Sequence, residues 1–193
     1  NWNRIETAVC DTKGKIILYH GTIINPLYHA NSGGMTETPE NVWGTSGVPY
    51  LKSVASFGEE ADPLFKTVTF LKKNEFYKRL KQEYPNLEAD ESCIMDEVKN
   101  IVLDESGRVK TLSIGNTTIK GTEFRRIFGL RSCNFRLGRE NDSVVKITTV
   151  GNGHGVGMSQ WGANHLAKQG ASCEEILRHY YKDVEISNMT GHH

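Results

Sequence analysis

Gly151-Asn-Gly-His-Gly-Val-Gly157 runs without a break into Met158-Ser-Gln-Trp-Gly-Ala163. Four glycines in seven residues stand between a strand-like run, Val144 to Val150, and a helix-like run beginning near Met158. Glycine at that density marks backbone that turns sharply, uses positive φ or lets another group approach closely. One histidine, His154, sits inside the loop, and Ser159, Gln160 and Trp161 follow it. Polar donors beside an aromatic ring at the exit of a glycine loop suit a sugar, which offers hydroxyls on its rim and C–H groups on its faces. The plainer reading is a tight strand-to-helix connection around a buried histidine.

Two other glycine motifs fail here. A dinucleotide fingerprint, G-x-G-x-x-G, needs a sixth-place glycine, but counting from Gly151 gives Val156 and from Gly153 gives Met158. A phosphate loop needs Gly-Lys-Ser/Thr where this chain has Gly157-Met158-Ser159. Lys plus Arg equals Asp plus Glu at 23 each, so bulk charge makes no case for a nucleic-acid partner. With 193 residues, 37% of them hydrophobic, the chain suits one globular core with room for an inserted subdomain. No apolar run nears the roughly 20 residues of a membrane-spanning helix, and no signal-peptide pattern is present. Thr190-Gly-His-His193 reads as the stump of a purification tag, so His192 and His193 are set aside.

Moving outward from the loop, a second glycine cluster occurs at Ala30-Asn-Ser-Gly-Gly34. It carries His29, Ser32, Gly33, Gly34 and Thr36, with Glu37, Glu40 and Trp43 behind it. Two glycine loops, each with a histidine and a following tryptophan, would make a cleft if they faced one another. The alternative is two unrelated surface loops. Residues 7–19 read as a hairpin around Thr12-Lys-Gly14, and Gly21 turns the chain toward Ile23 and a strand at 26–29. Leu51 to Phe57 reads as a strand and Gly58 to Pro63 as an acidic loop. Lys66 to Leu71 alternates like a strand, and Asn74 is placed to cap a helix over 75–84 that presents Phe76, Tyr77 and Leu80 and stops at Pro85. Residues 86–96 read as an exposed acidic loop. A hairpin, 98–103 with 109–114, turns at Asp104–Arg108; a strand at 117–120 and a helix at 122–128, closed by Gly129, follow. The basic stretch 131–141 reads as a connection. After the glycine loop, a helix turns Met158, Trp161, Ala163, Leu166 and Ala167 inward and ends at Gly170. Ser172 to Glu175 forms a capping box ahead of a helix with Ile176, Leu177, Tyr180 and Tyr181 on its apolar face.

The expected architecture is α+β: a β-rich main domain, 1–65 and 131–189, carrying two glycine loops and two C-terminal helices. A small α/β subdomain, 66–130, is inserted into it. Cys10, Cys93, Cys133 and Cys173 form no C-x-x-C pair; their even number allows two disulfides, but buried free thiols are the expectation.

The run 153–163, with Gln169-Gly170 and Glu175-Ile-Leu-Arg-His-Tyr-Tyr181, resembles the C-terminal signature of the stage II sporulation protein D family. Tyr28-His29, Ser32-Gly-Gly34, Thr36-Glu37, Val42-Trp43, Pro49-Tyr-Leu51 and Gly129-Leu-Arg-Ser132 match it in order. The resemblance implies a lytic transglycosylase that cuts peptide-stripped peptidoglycan glycan strands during forespore engulfment. It further implies an N-terminal membrane anchor, an extracytoplasmic location in a sporulating cell, and work alongside an amidase and a membrane protein of the engulfment machinery.

In that chemistry the C6 hydroxyl of the sugar attacks its own C1 and leaves a 1,6-anhydro end. One carboxyl group acting as acid and then base suffices, and no cofactor is required. The family's acid is a glutamate that the resemblance puts upstream of residue 1, so no catalytic residue is assigned here; Glu37 and Glu40 read as loop-ordering or solvated. Candidates for holding a saccharide are His29, Ser32, Gly33, Gly34, Thr36, Trp43, Gly153, His154, Gly155, Ser159, Gln160 and Trp161. His20, His29, His154 and Cys10 show no metal-ligand spacing; the resemblance places the zinc of some relatives on cysteines and histidines upstream of this chain. A non-catalytic glycan-binding or protein-docking module is the rival reading.

Overall fold

A computed structural model describes residues 2–189; the stretch read as a tag stump, 190–193, lies outside them. The described residues form six helices and eleven strands, an α+β fold. In chain order these are α1 (Trp2–Asp11), β1 (Lys15–Tyr19), β2 (Thr22–Ile23), β3 (Tyr28–His29), α2 (Pro39–Trp43), β4 (Lys66–Lys72), α3 (Lys73–Glu83), β5 (Val98–Leu103), β6 (Val109–Ile114), β7 (Thr117–Lys120) and α4 (Gly121–Phe128). They are followed by β8 (Phe135–Asn141), β9 (Val144–Val150), β10 (Met158–Ser159), α5 (Gln160–Lys168), α6 (Cys173–Tyr180) and β11 (Glu185–Asn188).

Four small sheets result, ordered β11-β1-β2, β10-β3, β4-β9-β8 and β5-β6-β7. The β10-β3 pair is parallel and aligns Ser159 with His29, which brings the exit of the 151–157 cluster beside the entrance of the 30–34 cluster. Bridges from Asn31 to Asn152 and from Glu37 to Val156 extend that seam, so the two loops do face each other.

Apolar burial falls into two clusters. One joins Phe76 and Leu80 of α3, Leu112 and Ile114 of β6, and Phe124 and Phe128 of α4 with Phe135, Val145 and Ile147. Within it the Phe76 and Phe128 rings stack at 4.7 Å. The other gathers Ile24, Leu51, Val54, Val156, Ile176, Tyr180, Tyr181 and Val184 beneath the glycine loops. Ser172 and Glu175 form the expected capping box of α6, and Gly129 ends α4 in the left-handed region at φ 62°.

Several local expectations are corrected. The first arm of the hairpin read at 7–19 is instead the last turns of α1, whose apolar residues Trp2, Ile5 and Val9 repeat at helical spacing and stay exposed. Residues 51–57 form no strand, because their backbone bonds go to the second glycine cluster, Thr36 N to Val54 O and Ser56 N to Gly34 O. The N-cap of α3 is Lys72 rather than Asn74. Leu87 and Ile94, in the stretch read as exposed loop, are buried in the first core. The basic connection contains β8, an outer strand of its sheet, where charged side chains are tolerated on the solvent side while Phe135 points inward. Ala167 is exposed, because α5 turns Gly162, Ala163 and Leu166 inward and so carries residue 167 away. All four cysteines are free and none is buried: Cys10 and Cys173 are exposed, Cys93 and Cys133 half-buried. None of the described helices is long and apolar enough to cross a membrane.

Candidate functional site

The two glycine loops are joined from below by a carboxylate that looked solvent-facing in sequence. Glu59, in a one-turn 3-10 helix Glu59–Ala61, is 1% exposed. Its Oε1 accepts from Ser32 N at 3.1 Å and Ser56 Oγ at 2.9 Å, and its Oε2 accepts from Ser32 Oγ at 2.7 Å and Gly34 N at 2.8 Å. A fifth donor is the hydroxyl of Ser159, the N-cap of α5. Burial pushes the Glu59 carboxyl up, but the hydrogen bonds from Ser159 and Ser32 outweigh it and hold its pKa below the ordinary value. The Ser56 hydroxyl also meets Tyr180 Oη at 2.7 Å, tying the knot to α6.

Above it the hairpin of β5 and β6 sends in a cation. Arg108 is 2% exposed and donates from Nη2 to Ser32 O at 2.6 Å and from Nη1 to Met35 O at 3.1 Å. Gly155 lies against the guanidinium, and a Cβ there would sit 2.5 Å from Arg108 Nη2, so the glycine admits the arginine. Glu37 is also buried, 3.9 Å from Arg108 Nη1. Its carboxylate accepts from Thr38 N at 2.7 Å, Asn41 Nδ2 at 2.9 Å and Ser106 Oγ at 2.7 Å. Burial, then the neighbouring Asp104 carboxylate, push the Glu37 carboxyl up. Glu37 therefore orders its loop, and Glu40 is exposed beside it.

These groups underlie a cleft of 320 Å³. Glu40, Asn41, Trp43 and Gly44, on α2 and its C-cap, line it together with Lys110 and Thr111 of β6, Lys120, Thr122 and Arg125. Glu37, Asp104, Arg108, Cys133 and His154 line it as well. Trp43 is 50% exposed, and its ring centroid lies 5.2 Å from that of His154. The His154 ring is oriented by Val156 N–H, which donates to its Nδ1 at 3.0 Å and so leaves the proton on Nε2. Burial and then the Arg125 charge push His154 down, favouring the neutral ring. A more open depression of 720 Å³ around Lys72, Asn74, Asp90 and Asp142 is larger but touches neither glycine loop.

The candidate residues therefore divide. Trp43 and His154 line the cleft. His29, Ser32, Thr36 and Ser159 are buried behind it, and the hydroxyls of Ser32 and Ser159 are taken up by Glu59. Thr36 Oγ1 accepts from Val54 N at 2.8 Å. His29 Nδ1 contacts Val156 O at 3.2 Å while its buried Nε2 meets no partner; burial lowers its pKa from 6.5 to about 4. Gly33 packs against Val150, Gly153 against His29 and Gly155 against Arg108, while a Cβ on Gly34 would meet nothing. Gln160 is exposed and Trp161 half-buried at the start of α5, and neither lines the cleft. The sequence reading overlooked Glu59, Arg108, Asp104 and the cations Lys110, Lys120 and Arg125. The only signal for Arg108 was its place at the end of a hairpin turn. Among the described residues no three His, Cys, Asp or Glu side chains gather as a metal site.

The geometry defines an α+β domain whose cleft is walled by α2, the β5–β6 hairpin and α4, with His154 reaching it from the glycine loop. No protein-family model matches the chain. It is 38% identical over 188 residues to stage II sporulation protein D of Bacillus amyloliquefaciens, covering 97% of this chain and 52% of that protein. It is 36% identical over 184 residues to the protein of the same name from Bacillus subtilis, covering 95% of this chain and 51% of that protein. An amidase enhancer of Bacillus subtilis is 27% identical over 238 residues, covering 97% of this chain and 33% of that protein. Along nearly its whole length the chain is thus a stage II sporulation protein D relative, as the glycine–histidine motif implied. It spans about half the length of the first two.

Proposed function

We propose that this chain forms the glycan-holding part of a sporulation cell-wall lytic transglycosylase, acting on peptide-free peptidoglycan strands at the engulfing membrane. The observation that carries the reading is the Trp43–His154 pair at the cleft, with cations on residues that line it alongside them. The half-exposed indole offers a face for a sugar ring, and the neutral, oriented imidazole gives that face a fixed edge. The names of the relatives, a sporulation protein and an amidase enhancer, support a cell-wall setting. An amidase that removes stem peptides is the partner this reading calls for.

In the reaction an acid protonates the glycosidic oxygen, the C6 hydroxyl attacks C1, and the resulting carboxylate takes the hydroxyl proton. Within the cleft Glu37 is held by three hydrogen bonds and paired with Arg108, which suits a structural part rather than the acid. The reading takes the acid to be a glutamate outside these residues. The acid–base sequence as written requires no metal.

The test is a digest of peptide-stripped glycan strands, analysed by mass spectrometry for 1,6-anhydro ends. A longer form that includes the upstream glutamate should release them and this chain alone should not. Release by this chain would move the acid to Glu40 or Glu37, which the Glu40→Gln and Glu37→Gln variants separate. Binding without product from either form would favour a non-catalytic glycan-binding module.

A further inference from the structure

At the tip of the β5–β6 hairpin two carboxyl groups meet one hydroxyl. Ser106 Oγ lies 2.7 Å from Glu37 Oε2 and 2.7 Å from Asp104 Oδ1. A hydroxyl has one hydrogen and so donates to one carboxylate at a time; the second contact closes only when a carboxyl proton is present. The hydroxyl can accept from two donors, and Arg108 Nη1, at 3.0 Å, is one of them. Asp104 Oδ1 accepts from the backbone N–H groups of Ser106 and Arg108 at 3.0 and 2.9 Å, which suits an anion. Glu37 Oε1 is taken by Thr38 N and Asn41 Nδ2, so Oε2, beside Ser106, is the position left for a proton. The set then closes, with Ser106 giving its hydrogen to Asp104 and accepting from Glu37 and Arg108. Charge points the same way. Glu37, Asp104 and Glu59 all act on the single buried Arg108 cation, and a neutral Glu37 lessens that excess of buried anions. Burial keeps Cys133, which also faces Arg108, as the uncharged thiol. Arg125, Lys110, Lys120 and His154 line the same cleft, and Glu40 and Glu105 are solvent-exposed beside it. Burial, then the Asp104 carboxylate, push Glu37 up.

We propose that a single proton, shared between Glu37 and Asp104 through Ser106, latches the hairpin tip to the base of α2, and that losing it loosens the cleft wall bearing Trp43. The two sides of the latch lie 69 residues apart in the chain. Glu37 holds Thr38 N and Asn41 Nδ2 at the start of α2, where Thr38 is the N-cap. Asp104 and Ser106 belong to the turn that leads into β6, which brings Lys110 and Thr111 to the cleft. Once the proton is gone, Ser106 can hold only one carboxylate, and the other faces a like charge. Arg108 stays anchored, because its bonds to Ser32 O and Met35 O need no proton from the pair. The movement therefore falls on α2 and the indole at its end. A carboxyl whose folded pKa is raised contributes its stability in full below the ordinary 4.5 and loses it as pH rises through the folded value. The latch is closed in acid and released in alkali, opposite in sign to Glu59. It operates whatever ligand the cleft takes.

The test is an NMR titration of the 193-residue chain, with carbon-labelled glutamate carboxyls and nitrogen-labelled tryptophan indoles assigned through bonds. The Glu37 carboxyl should keep its proton well above 4.5, and the Trp43 indole N–H signal should move with the same midpoint. In Glu37→Gln the side-chain NH2 can donate to Ser106 as the carboxyl does, so that movement should vanish. The Tm of this variant should stay within about 2 °C of wild type at neutral pH. Were Glu37 instead the ionised partner of Arg108, the same change would strand a buried cation and lower Tm by roughly 6–20 °C. A fall of that size, or a Glu37 midpoint at or below 4.5, overturns the shared proton. A Trp43 signal that ignores the Glu37 midpoint overturns the latch. So does one that moves equally in the variant, as titration of the neighbouring His154 would make it do. The wild-type carboxyl titration decides the shared proton even where the variant fails to fold.

Discussion

Glu59→Gln tests whether the buried carboxylate, rather than the glycines, holds the two loops together. The carboxylate accepts from five groups on three separated parts of the chain: Ser32 and Gly34, Ser56, and Ser159. An amide of the same shape keeps one acceptor oxygen and turns the other position into a donor. If the oxygen keeps the site facing Ser56 and Ser159, the new NH2 opposes the Gly34 N–H, which sits 2.8 Å from Oε2. Ser32 Oγ can rotate to accept from it, but the amide of Gly34 cannot. The Gly34 N–H then keeps only its longer contact to Ser32 Oγ at 3.2 Å. Setting a second donor against this part-buried one costs about 1–3 kcal/mol, and the lost charge assistance on the other bonds adds a similar amount. A total near 3 kcal/mol predicts a drop in Tm of about 6–12 °C for a chain of this size. The pH dependence gives a second readout. Because the folded pKa lies below its ordinary 4.5, Glu59 contributes stability above that value, and the contribution is lost as pH falls through the folded pKa. Thermal melts of wild type and Glu59→Gln should therefore converge in acid. A variant within about 1 °C of wild type at neutral pH, well below the expected drop, would refute the role assigned to Glu59.

Three further outcomes are expected. His29 is held neutral, its pKa lowered from 6.5 to about 4; the unfolded chain takes up the proton first, so stability falls as pH drops from 6.5 toward 4. That loss amounts to at most about 3 kcal/mol, and a His29→Gln variant should flatten this part of a Tm-against-pH profile. Gly157→Ala should cost more than Gly14→Ala by about 2 kcal/mol or more on urea unfolding. Both glycines lie at positive φ, but a Cβ at 157 would come 2.0 Å from Leu27 O whereas at 14 it meets nothing. Trp43→Ala should leave Tm nearly unchanged and weaken glycan binding about tenfold by calorimetry, since its ring is half exposed.

What could be read beforehand followed from local signals. Glycine spacing announced the two loops, alternation announced β4, the turn at Asp104–Arg108 announced the β5–β6 hairpin, and Ser172 with Glu175 announced the start of α6. The likeness to the sporulation family rested on residues that the structure brings to one seam, His29 and Ser159 among them. Glu59 was illegible because Glu59-Glu60-Ala-Asp62 has the composition of a solvated loop, and its partners lie up to 100 residues away. Arg108 was illegible for the same reason, since the backbone it serves lies 73 and 76 residues upstream. The strand β8 was hidden by polar side chains that an outer strand can afford, and α1 by reading only its final turns.

The parallel pairing of β3 with β10 also fixes when the cleft can exist during synthesis. Met158 pairs with Tyr28 and Ser159 with His29, so the first glycine cluster emerges from the ribosome long before its partner. Until then Glu59 lacks the Ser159 hydroxyl, and Val54 lacks Val156 beside it in the second core. The first core, by contrast, has all its buried members once Ile147 is made. Vectorial synthesis therefore lets that unit settle while the early loop waits. A nascent chain stalled with residue 147 but not residue 158 clear of the ribosomal exit tunnel should show protease protection over 71–147 and cleavage within 28–62.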